Sequence, residues 1–190
     1  MEAVLKYFLT FDIGTTSVKT CVFDESLTMR GHANEEYLLL AEKPGYVELP
    51  AETYWQAVLS GAKSAVARAG IDPKDIVSLS ATTQGETFIP IGPDGTPLRN
   101  AIVWLDERAG EQAKRLAQTF DAARFYRETG LPELSGYTPV SKLLWVKENE
   151  PELYEKTVKF LLLEDYILYR LTGKFVTEKA LACSSGWFRF

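Results

Sequence analysis

The sequence has little histidine and cysteine, with one His and two Cys among its 190 residues. The single His32 cannot supply a histidine-rich zinc site or a serine–histidine–aspartate triad, so any catalysis has to rest on carboxylates, hydroxyls and backbone groups. The cysteines, Cys21 and Cys183, lie too far apart in the chain for a metal-ligand spacing or a disulfide framework. They predict buried free thiols in a reducing compartment.

An excess of positive charge and a long hydrophobic run are also missing. The chain has 21 basic and 26 acidic side chains and a pI near 5.1, which argues against nucleic acid or an anionic membrane as its main partner. The apolar stretch from Tyr7 ends at Asp12, too early for a signal peptide, and residues 160–171 contain three charges. A membrane span needs about 20 apolar residues. We therefore expect a soluble, cytoplasmic protein with neither a membrane nor a nucleic-acid partner.

The composition is that of a globular protein, with 46% hydrophobic and 25% charged residues. At roughly 100–200 residues per domain, the length predicts one sizeable domain or two small ones, and no linker is visible that would divide the chain in two. Aromatic and aliphatic runs at 7–12 and 18–23 predict a hairpin around a turn at 12–17, and a third run at 35–40 predicts another antiparallel strand. Apolar residues at helical spacing predict a helix over 51–69.

The rest of the chain alternates between strand and helix patterns. A buried strand at 76–80 is followed by a polar loop at 81–86. The later patterns predict strands at 88–91, 101–104 and 158–163, and helices at 106–118, 122–129, 141–149, 151–156 and 165–171. Together they predict an α/β domain with a mixed sheet, in which antiparallel opening strands are flanked by helices.

The segment Asp12-Ile13-Gly14-Thr15-Thr16-Ser17-Val18-Lys19 is the sharpest local signal. A tight turn at Gly14 lets backbone N–H groups and the hydroxyls of Thr15 and Thr16 face phosphate oxygens, with Lys19 adding positive charge nearby. Asp12 ends an apolar strand, where a carboxylate needs compensation that a hydrated Mg²⁺ can give. The alternative is a plain hairpin whose turn amides Asp12 and Thr15 satisfy. The sequence contains neither a Walker A nor a GxGxxG pattern.

This turn resembles the phosphate-1 segment of the actin, hsp70 and sugar-kinase superfamily. Further segments narrow the resemblance to the N-terminal domain of the FGGY carbohydrate kinases, which has a ribonuclease H-like fold. These segments are Thr83-Gln84-Gly85-Glu86-Thr87, Asn100-Ala101-Ile102-Val103-Trp104-Leu105-Asp106-Glu107-Arg108, Thr129-Gly130-Leu131-Pro132 and Leu168-Tyr169-Arg170-Leu171-Thr172-Gly173.

The resemblance implies ATP and Mg²⁺ as cofactors and a small sugar or polyol as substrate. The cofactor-binding residues would be Asp12, which also holds the metal, with Gly14, Thr15, Thr16 and Lys19. The substrate-binding residues would be Gln84, Glu86, Trp104, Asp106 and Tyr137. Carboxylates and amides can hold hydroxyl groups, and an aromatic face can pack on the C–H surface of a polyol.

Structural roles are the alternatives for several of these residues. Trp104 fits a core position, Asp106 fits the cap of a helix that begins at Glu107, and Glu86 fits a solvated loop charge. We expect Arg108 to be a structural partner of a neighbouring carboxylate.

The sequence also departs from the family pattern in places. Glycerol kinases usually carry Arg at the position of Gly85, and xylulose kinases usually carry Met-His after the Gln, so the sequence assigns neither substrate. Where members often read Asn-Ala-Ser, this chain has Leu181-Ala182-Cys183. No function is carried over to that segment.

Family members are much longer than this chain, which resembles the sugar-binding N-terminal half over residues 1–190. Their second, ATP-binding domain and the aspartate that serves as catalytic base would lie beyond Phe190. We therefore expect weak polyol binding and no turnover from this chain alone, and phosphoryl transfer from ATP to a hydroxyl group by the complete enzyme. The alternative is a non-catalytic actin-like module that binds nucleotide and acts in assembly or regulation. Whether the protein forms a homodimer stays open.

Overall fold

A computed structural model describes residues 6–187. These residues form two compact units: unit 1 comprises residues 6–38 and 52–84, and unit 2 comprises residues 39–51 and 85–187. The strands are β1 (Tyr7–Ile13), β2 (Ser17–Asp24), β3 (Met29–Glu36), β4 (Glu48–Leu49), β5 (Ile76–Thr83), β6 (Phe88–Ile91), β7 (Ala101–Ile102) and β8 (Lys159–Leu162). The helices are α1 (Ala51–Ala69), α2 (Gly110–Ala117), α3 (Ala122–Thr129), α4 (Pro139–Asn149), α5 (Pro151–Lys156), α6 (Leu163–Thr172) and α7 (Lys179–Ser184).

The sheet of unit 1 has the strand order β3-β2-β1-β5. β1 pairs with β2 and β2 with β3 in antiparallel fashion, whereas β1 and β5 are parallel. The opening hairpin, the mixed sheet and the helix over 51–69 are therefore confirmed. Buried residues alternate with less buried ones along β1, which explains why the sequence predicted this strand correctly.

The third strand lies at Met29–Glu36, so its prediction at 35–40 was wrong. β3 is an edge strand that buries only Gly31 and Ala33 in its middle, so it carries no apolar alternation to read. Gly31 is there because α1 comes very close. A Cβ atom on Gly31 would meet the carbonyl oxygen of Ala65 and lie 2.7 Å from the backbone nitrogen of Ala69.

β5 extends over Ile76–Thr83 and is mostly exposed, so the prediction of a buried strand was wrong. Its apolar side chains Val77 and Leu79 are 54% and 51% exposed. Among the described residues β5 has only β1 as a neighbouring strand, which leaves its outer edge open. The apolar residues of β5 correctly indicated a strand, but they did not indicate how much of its surface other elements bury.

The sheet of unit 2 is antiparallel, with the order β4-β7-β6-β8. A cluster of Phe88, Ile102, Val146 and Leu162 forms its core. Most predicted elements are present, with shifted ends: α4 begins at Pro139 and α6 at Leu163, two residues early in each case, and β7 covers only Ala101–Ile102. No sequence pattern predicted α7.

The helix predicted over 106–118 begins only at Gly110, because the preceding residues form hydrogen-bonded turns. The N–H of Asp106 donates to the carbonyl of Val103 at 2.9 Å, and the N–H of Gly110 donates to the carbonyl of Glu107 at 3.2 Å. Asp106 is therefore not the cap of a helix beginning at Glu107, since Ala109 occupies the cap position of α2.

Both cysteines are free thiols, as predicted, but Cys21 and Cys183 are partly exposed rather than buried. Among residues 6–187, no helix combines the length and the apolar character that crossing a membrane requires.

Candidate functional site

The predicted site residues fall in both units. Unit 1 holds Asp12, Gly14, Thr15, Thr16, Lys19 and Gln84, and unit 2 holds Glu86, Trp104, Asp106 and Tyr137.

The turn between β1 and β2 is held by hydrogen bonds to its own carbonyl groups. The N–H of Gly14 donates to the carbonyl of Ser17 at 2.9 Å. Tyr37 donates twice, from its hydroxyl to the carbonyl of Gly14 at 2.6 Å and from its N–H to the carbonyl of Thr16 at 3.0 Å. Because these three carbonyl oxygens have donors, the turn does not present them unpaired to an anion. Tyr37 therefore stabilises this turn, whereas the sequence pattern predicted only that it belongs to a strand.

Asp12 and Lys19 face each other across this hairpin. The Lys19 ammonium group lies 3.3 Å from the Asp12 carboxylate, and the side chains are 65% and 52% exposed. An exposed ion pair of this kind contributes at most about 1 kcal/mol, so either charge can be drawn to a ligand at little cost.

The turn fits a nucleotide with its hydrated cation. Among the described residues no group of three or more His, Cys, Asp and Glu side chains could hold a metal ion. Mg²⁺ commonly takes one or two carboxylates and keeps its waters, so the accessible carboxylate of Asp12 suits it. Thr16 is exposed and Thr15 half-buried beside it, which places hydroxyl groups at the same turn.

Gln84 lies at the end of the sheet where the Asp12 turn lies, because β1 and β5 run parallel with Asp12 opposite Thr82. The N–H of Gln84 donates to the carbonyl of Ile13 at 2.8 Å, and its side-chain Nε2 donates to the Tyr54 hydroxyl at 2.9 Å. The remaining side-chain oxygen, Oε1, is buried without a hydrogen-bond partner. An unpaired buried acceptor is costly, and this oxygen is therefore available to a hydrogen-bond donor.

Two tyrosines back this end of unit 1. Tyr37 and Tyr54 pack edge to face, with ring centroids 5.2 Å apart. Burial raises the pKa of each phenol, and the nearby charge of Asp12 adds to the rise at Tyr37. Both hydroxyls therefore stay neutral and act as hydrogen-bond groups.

Glu86 has a left-handed backbone with φ of +63°, which is uncommon for a residue with a side chain. Burial raises the pKa of its carboxyl group, and the positive charge of Lys142 opposes that rise. A half-buried, backbone-strained carboxylate does not match a solvated loop charge, and such strain concentrates at functional sites.

Thr87 joins the Glu86 loop to Trp104. Its side-chain oxygen accepts a hydrogen bond from the backbone N–H of Trp104 at 3.0 Å, and its own N–H donates to the carbonyl of Gly85 at 2.8 Å. The Trp104 residue is 36% exposed, so it is not a core residue closing a buried strand. Its backbone is fixed while part of its surface stays accessible.

Lys142 of α4 is fully buried, and sequence reasoning missed it. Its ammonium group donates to the carbonyls of Val103 and Trp104 at 2.9 and 3.0 Å. Burial lowers its pKa to about 8, against the opposing effect of the Asp106 and Glu86 charges. Nothing in the helical pattern separates this lysine from the solvent-facing Lys147 on the same helix.

Asp106 is fully buried with both carboxylate oxygens engaged. The backbone N–H of Val47 donates to Oδ2 at 2.6 Å, and Arg108 donates to Oδ1 and Oδ2 at 2.8 and 2.7 Å. The Arg108 guanidinium also stacks over the rings of Tyr46 and Trp145, 4.1 and 4.9 Å from their centroids. Arg108 is thus a structural partner of a neighbouring carboxylate, as expected.

Tyr137 lies in a turn between Ser135 and Thr138 and is 38% exposed. The preceding Gly136 presses on the segment that follows Asp106, since a Cβ atom there would lie 2.9 Å from the carbonyl oxygen of Glu107. This close approach fixes the backbone from which the tyrosine projects.

Comparisons with known proteins identify the relatives of this chain. Residues 7–190 match the pattern of the FGGY family of carbohydrate kinases, N-terminal domain. The chain is 35% identical over 174 residues to a xylulose kinase of Bacillus subtilis, covering 92% of this chain and 34% of that protein. It is 36% identical over 177 residues to a glycerol kinase of Thermococcus gammatolerans, covering 91% and 36%.

A solved gluconate kinase structure from Lactobacillus acidophilus superposes with a TM-score of 0.88 at 31% identity, covering 96% of this chain and 36% of that one. A ligand-bound xylulose kinase from the same organism gives the same values. The predicted ribonuclease H-like fold is therefore confirmed. The chain spans about a third of the length of the relatives it matches.

Proposed function

The chain belongs to the FGGY family of carbohydrate kinases, and on that premise we propose that the protein carrying it transfers the γ-phosphoryl group of ATP to a hydroxyl group of a small sugar or polyol. One observation carries the proposal. The unpaired oxygen of Gln84 and the accessible carboxylate of Asp12 belong to neighbouring parallel strands and lie at the same end of the unit 1 sheet. A hydroxyl donor and a phosphate-bound cation can thus be held side by side.

The turn between β1 and β2 forms the nucleotide side of the proposed site. ATP supplies the phosphoryl group, and Mg²⁺ when bound neutralises the charge that develops on it. Asp12 would hold the hydrated cation, and the hydroxyls of Thr15 and Thr16 with the backbone at Gly14 would bind the phosphates. Lys19, whose pairing with Asp12 is exposed, would supply positive charge to the phosphates.

In unit 1 the proposed substrate residue is Gln84, whose side-chain oxygen accepts a hydrogen bond from a sugar hydroxyl. In unit 2 the proposed substrate residues are Glu86, whose carboxylate accepts from hydroxyls, and Trp104 and Tyr137, whose exposed rings cover the C–H surface. Positioning of this kind supplies much of the rate in phosphoryl transfer.

Asp106 stays a predicted substrate residue, but its carboxylate has little capacity left for a further hydrogen bond. Because Val47 and Arg108 already donate to both of its oxygens, any contact with a hydroxyl has to use a remaining lone pair.

Residues 1–190 would form the sugar-binding N-terminal domain. A C-terminal domain of the same enzyme would supply most of the ATP contacts and the base that deprotonates the acceptor hydroxyl. Closure of the two domains would exclude water, which competes with the sugar for the phosphoryl group. We place this enzyme in the cytoplasm.

Calorimetry of the complete protein with glycerol, tetritols and pentuloses tests the substrate half of the proposal. We expect heat of binding from at least one compound, and its loss in Glu86→Ala. The matched control is Glu155→Ala, which removes an exposed carboxylate of α5 in unit 2 and should bind as the unaltered protein does.

Two results would count against the kinase. If no compound of the panel binds while ATP does, the non-catalytic nucleotide-binding module is the better description. If a sugar binds equally well to Glu86→Ala, the assignment of Glu86 is wrong.

A further inference from the structure

The buried Lys142 has no part in the site proposed above, yet its position is unusual. A fully buried ammonium group is expensive unless it is paired or hydrogen-bonded, and a leucine or methionine would fill the same space more cheaply. Among the described residues no carboxylate lies within salt-bridge distance of Lys142. Its two hydrogen bonds go instead to backbone carbonyls, those of Val103 and Trp104, at 2.9 and 3.0 Å.

These carbonyls belong to the short segment that carries Trp104. β7 ends at Ile102, and the N–H of Val103 makes one further bond beyond the strand, to the carbonyl of Val47 at 3.0 Å. The N–H of Trp104 is held from one side by Thr87, and its carbonyl is held from the other by Lys142. The backbone of the proposed sugar-stacking residue is therefore clamped at both of its polar groups.

The positive charge of Lys142 also acts on the carboxylate of Glu86. The charges of Glu86 and Asp106 favour the protonated form of Lys142, and that of Arg108 disfavours it. The charge of Lys142 in turn favours the ionised form of Glu86. Of these two carboxylates, Asp106 already has Arg108 as a hydrogen-bonded partner, whereas the positive group that acts on Glu86 is Lys142.

We propose that Lys142 is a positioning residue of the sugar site, one that clamps the backbone of Trp104 through its hydrogen bonds to the carbonyls of Val103 and Trp104. Its charge has a second task, which is to favour the ionised form of Glu86 as an acceptor for substrate hydroxyls. The first task needs the N–H donors of the ammonium group and the second needs its charge. A protonated carboxyl group donates one hydrogen bond and is a weaker acceptor. It would therefore bind a substrate hydroxyl less well as an acceptor than the carboxylate does. This inference rests on the proposed function, since it gives Glu86 and Trp104 their roles.

Two substitutions separate the tasks. Lys142→Met removes both the charge and the donors, whereas Lys142→Gln removes the charge and keeps two N–H donors. The matched control is Lys147→Met, which removes an exposed lysine from the same helix.

In the complete protein, kcat/KM for the sugar should fall about tenfold or more in Lys142→Met, which corresponds to the loss of roughly one charge-assisted hydrogen bond. Lys142→Gln should lie between this variant and the unaltered protein at neutral pH. Both variants should lose activity at a higher pH than the unaltered protein as the solution is acidified, because the pKa of Glu86 rises when the opposing charge is removed. Equal kcat/KM values and superimposable pH profiles in all three proteins would overturn the proposal.

A second measurement needs neither a substitution of Lys142 nor kinase activity. The ¹³Cε resonance of labelled lysine reports the titration of Lys142, and Glu86→Gln removes the charge that favours its protonated form. We expect the Lys142 midpoint to move to lower pH in Glu86→Gln, and an unchanged midpoint would refute the coupling. If the unaltered protein phosphorylates no sugar, the proposed function fails, and this titration still decides whether Lys142 and Glu86 act on each other.

Discussion

Gln84 donates a hydrogen bond from Nε2 to the hydroxyl of the buried Tyr54, at 2.9 Å, which turns the other end of its amide into an acceptor without a partner. The orientation of this amide is therefore set by a residue distant in the chain. The same tyrosine packs against Tyr37, which holds the turn that follows Asp12. Both proposed halves of unit 1, nucleotide and sugar, thus share one aromatic support.

Tyr54→Phe tests this support. The substitution leaves the amide nitrogen of Gln84 without its acceptor, so the free energy of unfolding should fall by about 1–3 kcal/mol. The affinity for the sugar should fall as well, because the amide loses the contact that orients it. Urea unfolding and calorimetry measure the two effects. Tyr154→Phe, which retains its packing on Phe160, is the control and should change neither; equal effects in both variants would remove the special role of Tyr54.

Asp106→Asn tests whether the Asp106–Arg108 pair holds unit 2 together. Breaking a buried ion pair by altering one partner costs about 3–5 kcal/mol, and both side chains here are almost fully buried. Urea unfolding should show this loss. Glu111→Gln, which breaks an exposed pair with Lys114, should change stability by less than about 1 kcal/mol. If the Asp106→Asn protein is stable but no longer binds sugar, the main role of Asp106 is to bind substrate rather than to stabilise unit 2.

Gly31→Ala tests the contact between β3 and α1. The added methyl group would meet the backbone of Ala65 and Ala69, which cannot move as a side-chain end could, so we expect a loss of about 3 kcal/mol. Gly110→Ala, at a helical position with nothing within 4 Å of the added atom, should be neutral or stabilise by up to about 1 kcal/mol. Thermal unfolding of the two variants compares them directly, and a Gly31→Ala protein as stable as Gly110→Ala would contradict the contact.

The carboxylate of Asp24 makes the stability of unit 1 depend on pH. The backbone N–H of Thr28, opposed by some loss of hydration and supported by Ser26 and Arg30, lowers the pKa of Asp24 to about 2. A lowered pKa means that the stabilisation is fully present above the unfolded value of about 3.9 and is lost as the pH falls through the folded value. Asp24→Asn should therefore be less stable than the unaltered protein at pH 7, and the gap should shrink between pH 4 and about 2. A gap that stays constant with pH would contradict this.

The parts of the fold that the sequence predicted well are those with strong local patterns. The 19 residues of α1 repeat apolar side chains at helical spacing and end before Gly70, so its bounds were predictable from the chain alone. β3 was misplaced because an edge strand pressed against a helix needs small residues such as Gly31 rather than an apolar run. The exposure of β5 could not be predicted either. Its apolar residues indicate a strand, but they do not indicate whether other elements cover that strand.

The candidate site likewise contains residues that the sequence could predict and residues that it could not. Motif positions such as Asp12, Gln84 and Glu86 could be predicted from a family resemblance, because the residues within each motif follow one another along the chain. The supports Tyr37, Tyr54 and Lys142 reach these positions from distant elements, and their side chains look like ordinary strand or helix residues until the fold brings them in. Whether the motif residues bind substrate stays a prediction.

Phosphorus NMR of the complete protein with ATP, Mg²⁺ and the sugar panel tests the central claim most directly. The account predicts a phosphate monoester resonance that appears only when a sugar or polyol of the panel is present, and that is strongly reduced in Asp12→Ala and in Glu86→Ala. Release of inorganic phosphate at the same rate with and without sugar, and no monoester from any compound of the panel, would contradict it.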